Sequence, residues 1–326
     1  MRAAIVGITG PALSADEAAL FRRLPPAGVI LFGRNIEGPA QLRRLTGGLR
    51  AVLPPEAAIM VDQEGGRVAR LRPPSWCAHP PARVLGALNP ARRLRAAWLT
   101  GALIGLDCAA AGFDVACAPV LDLAVPGASD VVGDRAYSDD PVQVAMLGRA
   151  VADGLLAAGV QPVGKHAPGH GRALVDSHHA LPAVAGCLDG DMLPFTACAA
   201  LPWMMTAHIL YLDLDSARPG TLSPVVIGQA IRGRIGFQGV LVSDDLAMRA
   251  LAGTPGSLAA QAVAAGCDLA LHCTGVLADS AAVLDAVPDA GPATLDRMQA
   301  ARRLASSSRA VLDGVALMAE RDGLLA

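Results

Sequence analysis

Three clusters of ionisable residues in this chain have the types and spacing to do chemistry. The first is Lys165-His166-Ala167-Pro168-Gly169-His170-Gly171, followed at once by Arg172-Ala173-Leu174-Val175-Asp176-Ser177-His178-His179. Four of the seven histidines fall in these fifteen residues, just after the apolar run Val160-Gln161-Pro162-Val163-Gly164, so charge gathers where a strand gives way to a loop. Asp176 stands two residues before His178. In a loop free to curl, such a carboxylate accepts an imidazole N–H, fixes the tautomer and raises the basicity of the other ring nitrogen, which suits a general acid/base near neutral pH. A polar loop that merely contains histidines reads the same way. The second cluster, Ser243-Asp244-Asp245, offers one carboxylate to attack an electrophilic carbon while its neighbour caps a helix or takes a hydrogen bond; a plain capping pair is the simpler alternative. The third, Asp62-Gln63-Glu64-Gly65-Gly66-Arg67-Val68-Ala69-Arg70, packs acid, amide and two arginines around a Gly-Gly turn and suits a hydroxyl-rich or anionic ligand.

Two other patterns dissolve on inspection. Gly159 to Lys165 mimics a phosphate-binding G-x-x-x-x-G-K, but His166 stands where Ser or Thr should hold magnesium, and the middle residues look like a strand. His166 and His170 have the four-residue spacing of a helical zinc pair, yet Pro168 and Gly169 between them oppose a helix. A metal-dependent hydrolase gathering His166, His208, His272 and Asp244 from strand ends is a further alternative; it would want a ligand pair on an early strand, and the first strand offers none. No metal and no cofactor are expected.

The elements that must position these clusters follow from punctuation. Ala-Gly precedes an apolar run at Ala27-Gly28, Ala111-Gly112, Ala158-Gly159 and Ala265-Gly266, each read as a helix stop before a strand. Ser14-Ala15-Asp16-Glu17 has capping-box spacing, and Asn89-Pro90, Asp140-Pro141 and Ser223-Pro224 place a cap residue before a first-turn proline. Eight strands are predicted, at 3–8, 28–32, 57–62, 113–119, 160–165, 202–208, 239–244 and 267–272. Helices are predicted near 14–24, 39–51, 90–111, 141–158, 189–200, 224–235, 257–265 and 276–287, with a last one over 293–319. Eight βα units in 326 residues favour a single-domain (β/α)8 TIM barrel spanning 1–326 over an open sheet. Asp62, Asp122, Lys165-His166, His208, Asp244 and His272 each end a strand or follow one. In a barrel those ends converge on the face that carries the active site.

Bulk properties narrow the partners. Hydrophobic residues make up 53% and aromatics only 3%, so the core is built from Ala, Val and Leu. A formal charge of −2 without a basic block argues against nucleic acid and anionic membrane. Seven cysteines without a C-x-x-C pair read as reduced thiols. The apolar run Ala3 to Ile8 is too short for a signal segment, and no run of uncharged apolar residues reaches membrane-span length. A cytoplasmic monomer acting on a small molecule is expected.

Taken in order, Asp62-Gln63-Glu64-Gly65-Gly66-Arg67-Val68, Gly133-Asp134-Arg135-Ala136-Tyr137, Lys165-His166-x-Pro168-Gly169-His170-Gly171, Asp176-Ser177-His178, Met205-Thr206-Ala207-His208 and Ser243-Asp244-Asp245-Leu246-x-Met248 resemble the bacterial β-N-acetylhexosaminidases of glycoside hydrolase family 3, cytoplasmic enzymes of peptidoglycan recycling. The resemblance runs from about residue 4 to 305. It implies a TIM barrel, Asp244 as the nucleophile of a covalent glycosyl-enzyme, and His178 as acid/base with Asp176 as its dyad partner. It further implies that Asp62, Arg70, Arg135, Lys165 and His166 bind N-acetylglucosamine, and that the substrate is N-acetylglucosaminyl-β-1,4-anhydro-N-acetylmuramic acid. A substrate-assisted hexosaminidase using Asp244-Asp245 and a non-catalytic muropeptide-binding barrel are the alternatives. The chain departs from the family pattern at Ala167, Leu174-Val175 and His179.

Overall fold

The computed structural model describes residues 1–177 and 179–326. Among these residues, eight parallel strands close into a barrel: β1 (Arg2–Gly7), β2 (Pro26–Leu31), β3 (Ala58–Val61), β6 (Val115–Ala116), β7 (Gln161–Ala167), β9 (Trp203–Thr206), β11 (Val240–Asp245) and β12 (Leu269–His272). All eight predicted strands are present, β1 pairing with both β2 and β12 to complete the circle. Two small pairs sit outside it, the antiparallel β4 (Gln63–Gly65) and β5 (Val68–Ala69), and the parallel β8 (Ala183–Val184) and β10 (Leu210–Tyr211). The predicted strand 113–119 shrinks to β6. Pro119 has no N–H to donate, and pairing with β7 continues piecemeal, through Val163 N to Ala118 O, Lys165 N to Pro119 O and Leu121 N to Lys165 O.

The helices form the outer ring: α1 (Ala15–Arg23), α2 (Pro39–Arg50), α3 (Ala82–Ala87), α4 (Pro90–Ala111), α5 (Pro141–Ala157), α6 (Asp189–Ala197), α7 (Pro255–Ala265), α8 (Leu277–Ala286), α9 (Pro292–Ser308) and α10 (Gly314–Leu325). The caps read from sequence are in place: Ser14 and Glu17 form a reciprocal capping box, and Asn89 and Asp140 accept from the N–H groups of Ala91 and Val142. Ser223 caps as well, through Val226 N, but the helix it opens widens into i→i+5 bonding over Val226–Arg234.

Two expectations need correction. Ala27-Gly28 is not a helix stop but lies inside β2. A Cβ on Gly28 would come 2.7 Å from Ala58 O, so the glycine serves close strand approach. The predicted 293–319 helix is two helices. Ala310 N bonds to Ala157 O in the gap, and Asp313 starts α10 by accepting from Val315 N and Ala316 N.

α4, 22 residues long, is apolar enough by length and composition to cross a membrane. Here it is a core helix laid against α5. Cβ atoms on Gly101 and Gly154 would come 2.1 Å from Val151 O and 2.2 Å from Trp98 O, so the two backbones touch directly.

Candidate active site

The carboxyl ends of the strands surround one cavity, lined by Asp62, Arg70, Arg135, Lys165, His166 and Asp244 together with Phe32, Glu64, His170 and Ser177. Five residues named from sequence as sugar binders and the proposed nucleophile therefore meet. Asp176 is not among the lining residues, although its neighbour Ser177 is. His178 lies outside the described residues.

One wall is an ion-pair lattice. Lys165 Nζ sits 3.0 Å from Asp62 Oδ1 and 2.7 Å from Glu64 Oε1. Arg70 reaches Asp62 Oδ2 at 3.1 Å, and Arg135 grips Glu64 through two 2.8 Å bonds. Burial works to raise both carboxyls, but Lys165 and Arg70 hold Asp62 below its ordinary value, and Arg135 and Lys165 do the same for Glu64. Burial pulls Lys165 downward, and Asp62 and Glu64 outweigh it, so the ammonium stays charged. Glu64 is central here, although the sequence alone assigns it no role of its own. Its signal was its place between Asp62 and the Gly-Gly turn. Gln63 fixes the hairpin that delivers Glu64, accepting from Arg70 N and Leu71 N and donating to Leu71 O. Phe32 lies beneath the Arg70 guanidinium, 5.3 Å from ring centroid to Cζ.

The floor is set by His166 and Asp244. Asp122, 1% exposed, accepts from His166 Nδ1 at 2.6 Å and from His170 N at 2.7 Å. Burial raises its carboxyl, His166 more than offsets this, and the group stays ionised; a carboxylate only accepts, so His166 Nδ1 carries a proton towards it. Asp244, near the end of β11, accepts Asp245 N at 2.8 Å. Burial raises its carboxyl, but His166 and His208 outweigh it and hold it below the ordinary carboxylate value. Asp245 differs. Its Oδ1 is committed to Ala247 N and Cys273 N, and burial, with Asp244 nearby, pushes its carboxyl up.

Other strand-end histidines turn away. His208 bonds to Thr221 Oγ1 and Asp245 O beneath the cavity, and His272 faces Thr274 and Asp279. The imagined metal set of His166, His208, His272 and Asp244 is thus not gathered, and among the described residues no group of three or more His, Cys, Asp or Glu side chains is placed to hold a metal. His166 and His170 stack edge-to-face at 5.7 Å. His170 Nε2 lies 3.0 Å from Ser177 Oγ, and Ala250 N donates to Ser177 O, so the loop after β7 is pinned at Ser177.

A family model for the glycosyl hydrolase family 3 N terminal domain matches residues 5–306. A beta-hexosaminidase of Alkalilimnicola ehrlichii is 41% identical over 299 residues, covering 88% of this chain and 85% of its own length. One of Chromobacterium violaceum is 39% identical over 317 residues, with 94% and 87% covered. The crystal structure of NagZ from Neisseria gonorrhoeae in complex with N-trifluoroacetyl-D-glucosamine matches with a TM-score of 0.87 at 31% identity, over 100% of this chain and 98% of that one. The chain therefore belongs to glycosyl hydrolase family 3 and is a glycoside hydrolase of the beta-hexosaminidase kind.

Proposed function

We propose that the enzyme is a retaining exo-β-N-acetylglucosaminidase that removes N-acetylglucosamine from N-acetylglucosaminyl-β-1,4-anhydro-N-acetylmuramic acid fragments during cytoplasmic recycling of the cell wall. The observation that carries this reading is the contrast between adjacent carboxyls. Asp244 is kept ionised at the cavity floor, whereas Asp245 is tied to backbone N–H groups. An ionised carboxylate facing the cavity is what attack on an anomeric carbon requires. Asp62, Arg70 and Lys165 offer acceptors and donors for sugar hydroxyls, with Arg135 locking Glu64 behind them and His166 lining the same cavity. The ligand of the Neisseria protein supports an N-acylated glucosamine in this cavity.

In this mechanism Asp244 displaces the aglycone to form a glycosyl-enzyme while His178, oriented by Asp176, protonates the departing oxygen. Asp244 carries the sugar until His178 takes a proton from the incoming water. A deactivated 2-fluoro sugar tests the assignment directly: mass spectrometry of the digested protein should find the label on Asp244. Turnover of N-acetylglucosaminides without any label would instead favour attack by the substrate's own acetamido group, and absence of turnover would favour a binding protein.

A further inference from the structure

The C-terminal helix α10 lies beyond the family-matched residues, yet it connects to the cavity. It is strapped along α4 by Arg95, which donates to both Glu320 oxygens at 2.7 Å. One residue on, Arg321 is only 4% exposed, and its Nη1 lies 3.1 Å from His79 Nδ1. A guanidinium only donates. His79 Nδ1 must therefore present its lone pair, and the ring proton sits on Nε2, which meets Asp107 Oδ2 at 3.0 Å. α10, the segment around His79 and α4 are thus joined in one line of directed hydrogen bonds. Met318 Sδ adds a second contact, 3.4 Å from Cys77 Sγ.

The segment that α10 holds is the seat of the β4–β5 hairpin. Gly66 N donates to His79 O at 2.9 Å. Cβ atoms at Gly65 and Gly66 would come 2.5 Å from Pro80 O and 2.6 Å from Pro81 Cβ, and both glycines have positive φ, +102° and +55°. The hairpin tip therefore rests on residues 79–81 with no side chain between them, and a shift of that seat is passed to the tip. The hairpin delivers Glu64, locked to Lys165 and Arg135, and just past it Arg70, paired with Asp62.

We propose that Arg321, acting through His79, is a positioning residue for the sugar cavity: it fixes the seat on which the Glu64 and Arg70 hairpin lies. The proposal rests on the reading of that cavity as the N-acetylglucosamine site. Arg321 touches no substrate, so its loss acts on binding before chemistry.

The test compares full-length Arg321→Met with Arg321→Lys, which keeps a donor. In Arg321→Met, KM for an aryl N-acetyl-β-glucosaminide and the calorimetric Kd for N-acetylglucosamine should both rise roughly 3- to 10-fold, the worth of one internal hydrogen bond. kcat should stay within about twofold, and Arg321→Lys should recover most of the loss. Hydrogen exchange should quicken at the amides of Gly66, Arg70 and Leu71. Unchanged KM and exchange in a folded Arg321→Met protein would overturn the proposal, as would a fall in kcat that merely follows the folded fraction. If Arg321→Met does not fold, Asp107→Leu breaks the other end of the line and should give the same KM and exchange changes; no change there overturns the proposal equally. Faster exchange in a protein whose wild type binds no N-acetylglucosamine would leave the hairpin seat standing and sink the sugar reading instead.

Discussion

The two ends of the barrel each carry an aspartate among cations, and the two are built differently. Asp268, entering β12 from the amino-terminal end, spends both oxygens: Oδ1 on Thr294 Oγ1 and Arg297 Nη1, Oδ2 on Arg232 Nη2 and Leu241 N. Its four donors come from three separate stretches of chain, Arg232, Leu241 and the first turns of α9, and draw the base of the barrel shut. Asp244, leaving β11 at the other end, takes Asp245 N on one oxygen and borders the cavity. Its charge is held from a distance by His166, His208 and Lys165. One carboxylate is saturated and structural; the other, among the described residues, takes a single side-chain hydrogen bond and lines the cavity. Burial beside positive charge is common to both, so the bonds each accepts are what separate a reactive carboxylate from a stapling one.

Exchanging the two residues for alanine breaks this comparison most directly. Asp244→Ala should lower turnover of an aryl N-acetyl-β-glucosaminide by at least about 10⁴-fold, as expected for loss of a nucleophile, while the melting temperature changes little. Near-normal turnover would end the assignment. Asp268→Ala should do the reverse. It strands Arg232 and Arg297 and should cost roughly 3 kcal/mol of unfolding free energy in a denaturant titration, with kcat per folded molecule unchanged.

A gentler test uses pH. Burial pushes the His170 imidazole down to about 4 from an ordinary 6.5, and burial also lowers His208. Between those values the unfolded chain binds protons that the folded one refuses, so stability is fully present above about 6.5 and drains away as pH falls towards 4. The depressed carboxyls Asp62, Glu64 and Asp244 carry ordinary values near 4, so they add to the loss only at the lower edge of that window and below it. His170→Asn should flatten the change in denaturation midpoint between pH 7 and pH 5. An unaltered slope would show that His170 is not held neutral.

The barrel was legible because its information is local and repeated: capped starts, glycine stops at residues 112, 159 and 266, and eight apolar runs. Asp62, Lys165, His166 and Asp244 were legible for the same reason, since a polar residue ending a buried strand must face the carboxyl end. What escaped was set by partners distant in sequence. Asp122 reads like any strand-end acid until it meets His166 and His170 on the neighbouring strand and its loop, and Glu64 gains its role only from Lys165 and Arg135. His208 and His272 have the same local signature as His166, but Thr221 and Asp279 take them elsewhere. The break between α9 and α10 depends on a contact with Ala157 that no window around residue 310 contains.

The bare backbone contact between α4 and α5 has a consequence during synthesis. A 22-residue helix this apolar is covered only when α5 arrives, and residues 112–157 must first be made. At roughly 5–20 residues per second this takes about 2–9 s. For that interval the nascent chain displays its most lipid-like segment uncovered, the stage at which a ribosome-associated chaperone has most to shield.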